Sequence, residues 1–92
     1  LWTPWGLRSL SPDDPAYRGR YTGVVRERDA AYHQGTVWPW LTGAFVEAWL
    51  RVHGEEQKRE AFDRFVAPLE ARLQTAGINH LTEVADGDAP QR

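Results

Sequence analysis

Between Tyr32 and Trp40 the chain reads Tyr-His-Gln-Gly-Thr-Val-Trp-Pro-Trp, nine residues that bring hydrogen-bonding side chains, two indoles and a proline into one run. The His33 and Gln34 side chains both donate and accept hydrogen bonds, while indole rings offer flat apolar faces. Such a set suits a ligand with hydroxyl-rich edges and C–H faces, which describes a sugar ring. Further along, Glu83, Asp86 and Asp88 place three carboxylates within six residues. Asp86-Gly87-Asp88 is turn-forming chemistry, and the spacing of a calcium loop would continue past the ligands offered here. His33, His53 and His80 are too scattered for a metal site, and no P-loop, HExxH or zinc-knuckle spacing occurs. Neither a metal nor a cofactor is expected.

The elements that must position these groups are unevenly written. Residues 1–35 hold Pro4, Pro12, Pro15, Gly6, Gly19 and Gly23 with no sustained period, so they read as one long loop, with a strong turn at Ser11-Pro12-Asp13-Asp14-Pro15. So long a structureless run fits a larger scaffold better than an independent domain. From Trp38 onward, Trp38, Leu41, Phe45, Ala48, Trp49 and Val52 recur at three- and four-residue steps, which predicts an amphipathic helix over 36–54. Pro39 fits its first turn and Gly54 its stop, while its cap lies between Thr36, with the better side chain, and Trp38, extended because a proline follows. A second helix is predicted over 55–77, with Phe62, Phe65, Val66, Leu69, Leu73 and Ala76 on one face and Glu60 four residues before Arg64. Gly77 would end it, and Pro68 should kink or split it near Arg64 to Ala67. The expected fold class is therefore all-α, one antiparallel helical hairpin turning at Gly54 plus long loops, with residues 78–92 a loop. Trp40 and Trp49 are expected to pack between helices, Tyr32 to anchor its hydroxyl on backbone groups, and His53 to sit at helix-end carbonyls.

Ninety-two residues set a ceiling of one small domain, which alone buries roughly 60 to 65% of its unfolded surface. Because Leu1 stands first and the polar run from Asp86 to Arg92 carries no closing signal, the chain is expected to be a fragment. Eleven Lys and Arg against 13 Asp and Glu leave a net charge of −2. That balance gives no reason to expect nucleic acid or an anionic membrane as partner. The absence of cysteine makes a reducing cytoplasm the default. The longest mainly apolar stretch, Val37 to Leu50, is too short to span a bilayer and is interrupted by Thr42, Gly43 and Glu47, and no signal peptide is expected ahead of it.

Three separated segments, taken in order, carry a resemblance: Trp5-Gly6-Leu7-Arg8-Ser9-Leu10-Ser11-Pro12, then Tyr32 to Trp40, then Glu83-Val84-Ala85-Asp86-Gly87-Asp88. Together they resemble the C-terminal domain of glycogen debranching enzymes, across almost the whole chain. The resemblance implies an amylo-α-1,6-glucosidase built as an (α/α)6 toroid, of which this chain supplies a part, with α-glucan as substrate and the rest of a larger polypeptide as partner. It implies that Glu83 is the general base and that the general acid, an aspartate, lies N-terminal to everything in this chain. It also implies that His33, Gln34 and Trp38 contact the sugar, with Trp5 and Arg8 at the pocket mouth, although Arg8 could equally pin the long loop through a carboxylate such as Asp29. The alternatives are another (α/α)6 glycosidase of the trehalase or glucoamylase kind, and a non-catalytic glucan-binding module.

Overall fold

The computed structural model of the chain describes residues 1–75 and 79–92. The stretch expected to be one loop contains two strands and a helix. Strands β1 (Trp2–Thr3) and β2 (Gly6–Arg8) form a tight antiparallel hairpin with Trp2 opposite Leu7 and Thr3 opposite Gly6. Buried Thr3 closes its turn: the hydroxyl donates to the Gly6 carbonyl at 3.0 Å and accepts the Trp5 N–H at 3.2 Å. Helix α1 (Val25–Tyr32) follows, with the Glu27 carboxylate accepting the Val24 N–H at 3.2 Å across its first turn. Both kinds of element escape a periodicity test for physical reasons. Strands of two and three residues are too short to alternate, and α1 buries only Ala31, so it has no apolar stripe.

Strand β3 (Val37–Trp38) completes a sheet of order β1-β2-β3, with Leu7 opposite Trp38 and Arg8 opposite Val37. The helix expected over 36–54 therefore begins later. Trp38 is extended, as a residue before proline should be, and Pro39–Leu41 form a 3-10 turn that leads into α2 (Thr42–His53), which ends at Gly54. Thr36 does not cap this helix. Its hydroxyl turns back and donates to the carbonyl of Tyr32, satisfying the end of α1 instead.

A short 3-10 turn, Glu55–Gln57, leads to α3 (Lys58–Ala61), a π-helical segment Phe62–Val66 and α4 (Ala67–Thr75). The proline accounts for the interruption. Pro68 has no N–H to give the Arg64 carbonyl and its ring crowds that oxygen, and the backbone widens into a π segment around Arg64. The expected stop at Gly77 lies outside the described residues, as does Ala76.

The core sits where the sheet meets this hairpin. Phe65, 2% exposed, takes the Trp2 ring edge-on at 4.8 Å, Phe45 at 5.0 Å and Trp49 at 5.5 Å, while Trp2 and Phe45 stack at 5.5 Å. The apolar stripe of α2 is narrower than its spacing suggests. Ala48 and Val52 are exposed, and Trp40 is 71% exposed rather than packed between helices, because the 3-10 turn carries it away from the α2 face. The chain is thus mostly helical with a small sheet, and among the described residues no helix is long and apolar enough to cross a membrane.

Candidate active site

Residues 83–88 close against the sheet as though they were part of it. Val37 and Ala85, both buried, exchange backbone hydrogen bonds of 2.8 and 3.0 Å, an antiparallel bridge that adds the loop to the free edge of β3. Two glycines permit the approach. A Cβ on Gly87 would collide with the Gly35 carbonyl, and one on Gly35, at φ +151, would collide with the Arg18 carbonyl.

Side chains from the first twenty-one residues then fasten the loop. The Arg8 guanidinium donates to the Gly87 carbonyl at 2.9 Å and to the Trp2 carbonyl at 3.3 Å, so Arg8 pins the carboxylate loop and not Asp29. Asp86, 5% exposed, accepts from the Arg20 guanidinium at 3.0 Å and the Tyr21 N–H at 2.8 Å. Asp88 accepts the Tyr17 hydroxyl at 2.9 Å. Burial and the hydrogen bond to Asp88 hold the Tyr17 phenol above its ordinary value of 10.0, and Arg8 opposes them. Both aspartates are thereby committed to holding the loop, and Glu83 stands exposed at its start.

The aromatic run meets Glu83 through Tyr32. The Tyr32 hydroxyl donates to Glu83 Oε1 at 2.7 Å, a side-chain partner where a backbone one was expected, since Tyr32 closes α1 and does not enter a helix. This bond raises the Tyr32 phenol above 10.0, with loss of solvent and the Glu83 charge adding to it. Trp38 Nε1 donates to the Tyr32 carbonyl at 3.1 Å, which fixes the indole, and His33 stacks on it at 5.7 Å and 7°. His33, Trp38, Trp40, Leu41 and Ser9 line an open hollow of about 290 Å³. Ser9 also accepts the Gly35 N–H at 2.9 Å, tying the first motif to the second.

Of the residues singled out in the sequence, His33 and Trp38 share this hollow, and Glu83 is joined to them through Tyr32, whose ring meets both and whose hydroxyl bonds Glu83. Gln34 is half-buried in the turn between them and gives its carbonyl to the Arg18 N–H. Trp5 lies elsewhere, its ring covered by the Arg72 guanidinium at 3.6 Å, a cation–π contact that fastens the β1–β2 turn to α4. His53 stacks on Trp49 at 4.2 Å. Tyr32, Ser9, Trp40, Arg20 and the Gly35–Gly87 contact are what sequence reading missed. Membership of the three motifs was the written signal for all but Arg20, which lies outside them and carried none. Among the described residues, no cluster of three or more His, Cys, Asp or Glu side chains could hold a metal.

The hollow combines flat aromatic faces with hydrogen-bonding side chains, a lining that suits the C–H faces and hydroxyl edges of a sugar ring. The chain belongs to the amylo-α-1,6-glucosidase family, whose model matches residues 1–92. It is similar to the glycogen debranching enzyme of Saccharomyces cerevisiae (strain ATCC 204508 / S288c), at 37% identity over 62 residues that cover 61% of this chain and 4% of the yeast protein. The chain thus matches only a small part of that relative's length. No solved structure matches it.

Proposed function

We propose that this chain forms one wall of the active centre of a glycogen debranching polypeptide and takes part in hydrolysing α-1,6-glucosidic branch linkages of glycogen-type glucans. Hydrolysis of such a bond needs one carboxylic acid to protonate the departing oxygen and a second carboxylate to activate water. Glu83 is the second, because it is the exposed carboxylate of its loop while Asp86 and Asp88 are engaged with Arg20, Tyr21 and Tyr17. The acid comes from outside these residues. An inverting geometry would place the two carboxyl groups roughly 6.5 to 9.5 Å apart, with room for the water. His33, Gln34 and Trp38 orient the glucosyl unit, Trp38 by its face and the other two by hydrogen bonds.

The observation that carries this reading is the meeting of Glu83 and the His33–Trp38 stack at Tyr32, from segments fifty residues apart, in a chain that matches the family throughout. The test is Glu83→Gln in the full-length polypeptide that contains this chain, assayed by glucose release from a singly branched oligosaccharide. Loss of acid–base catalysis lowers kcat by about 10² to 10⁴. A rate near that of the parent would refute the assignment. The glucose released should be the β-anomer at first, which nuclear magnetic resonance of early product reads directly.

A further inference from the structure

Tyr32 touches two of the residues that line the hollow, His33 and Trp38, and is itself held at several points. Its carbonyl accepts two donors, the Thr36 hydroxyl at 2.7 Å and Trp38 Nε1 at 3.1 Å. Its ring meets Trp38 edge-on at 4.5 Å, His33 at 4.9 Å and Tyr21 at 6.0 Å. A side chain with only two torsions, fixed at the backbone and touched by rings on several sides, can point its hydroxyl in few directions. The direction it takes is Glu83 Oε1. Glu83 itself is exposed and has this hydroxyl as its only side-chain partner among the described residues. A free glutamate on a loop would sample several rotamers, and a catalytic base needs one.

We infer that Tyr32 is a positioning residue for Glu83: its O–H occupies Oε1, fixes the carboxylate plane relative to the His33–Trp38 stack, and leaves Oε2 to receive the proton of the attacking water. The inference rests on the reading of Glu83 as the base. In the step so described, Oε2 takes one proton from water as the water oxygen bonds to the anomeric carbon. The glycosidic bond breaks with its electron pair going to the departing sugar oxygen, which takes a proton from the second carboxylic acid. Tyr32 keeps its own proton throughout, and as a donor it must. The sugar platform and the carboxylate are thus aligned by one residue, which belongs to the same run as the platform.

The full-length polypeptide tests this with Tyr32→Phe, Glu83→Gln and the double variant, assayed on a branched α-glucan. Tyr32→Phe removes the hydroxyl and keeps the ring contacts. The expected result is a kcat lower by about tenfold to a hundredfold with KM within about twofold, because misplacing a catalytic group slows the step without weakening substrate binding. In the Glu83→Gln background the same change should cost less than about twofold, since nothing remains to be positioned. A raised KM with unchanged kcat, or losses that multiply in the double variant, would overturn the inference. A ring-fluorinated tyrosine at position 32 keeps the shape but loses its donor proton at lower pH, so the ratio of its kcat to the parent's should fall as pH rises through that ionisation; a ratio that stays constant would overturn the inference even if Tyr32→Phe fails to fold. Full activity of Glu83→Gln would instead sink the underlying base assignment, whatever Tyr32 does.

Discussion

Asp86 is buried beside an arginine that stays half exposed, with a side-chain exposure of 43% against 7% for the aspartate. Solvent therefore screens the charge pair, and the weight falls on hydrogen bonds that would otherwise leave polar groups unpaired. Asp86→Ala removes the acceptor for both Arg20 and the Tyr21 N–H and is expected to cost about 1–3 kcal/mol, read as a lower denaturant midpoint. Tyr17 gives a pH signature. Its phenol ionises later in the folded chain than its ordinary 10.0, so folding favours the protonated form. That contribution is whole below pH 10 and is lost as pH climbs through the higher folded value. Ultraviolet titration of phenolate should show two late-ionising tyrosines, Tyr17 and Tyr32, of which Tyr17→Phe removes one. Residue chemistry was partly legible beforehand. Glu83, His33 and Trp38 stood out because their types are unusual for their surroundings, whereas the Tyr32 contact depends on a fold that joins residues 32 and 83.

The elements were legible where they carried an apolar stripe. The α2 and α3–α4 hairpin followed from spacing alone, and Pro68 announced its own interruption, here a π segment at Phe62–Val66 and not a sharp break. The three-stranded sheet was invisible because strands of two or three residues carry no pattern, and β3 was hidden inside an apparent helix start. Phe65 joins these two worlds, taking Trp2 from the sheet and Phe45 and Trp49 from α2. Phe65→Ala should cost about 3–5 kcal/mol by chemical denaturation, with Trp2→Ala less than additive on top of it. The Gly35–Gly87 contact yields a sharper test of the loop's placement. Backbone on both sides cannot give way as a side chain could, so Gly87→Ala should push the 83–88 loop off β3. Weakened amide protection at Val37 and Ala85 in hydrogen exchange would report it, and unchanged protection would refute it.

Taken whole, the chain spreads over 45 × 32 × 18 Å, a slab little thicker than one helix and its packing partner. Leu1, Val24, Val25, Trp40, Val52, Phe62 and Leu81 all lie exposed on its exterior, a sizeable apolar surface for a chain of this length. The purified 92-residue chain is accordingly expected to bind a hydrophobic dye and, on the reading that the general acid and the remaining helices come from outside these residues, to release no glucose from a branched glucan; measurable glucose release would overturn that expectation. The bonds that hold the candidate base loop have a further implication for the order in which the molecule is made. Arg8 to Gly87, Tyr17 to Asp88 and Arg20 to Asp86 join positions 79, 71 and 66 residues apart. Such distant closures follow local ones, so the helical hairpin can form while the chain is still emerging from the ribosome. The site cannot. Arg8, Tyr17 and Arg20 meet their loop acceptors only once residues 86–88 have followed, so the candidate site closes after the hairpin that neighbours it.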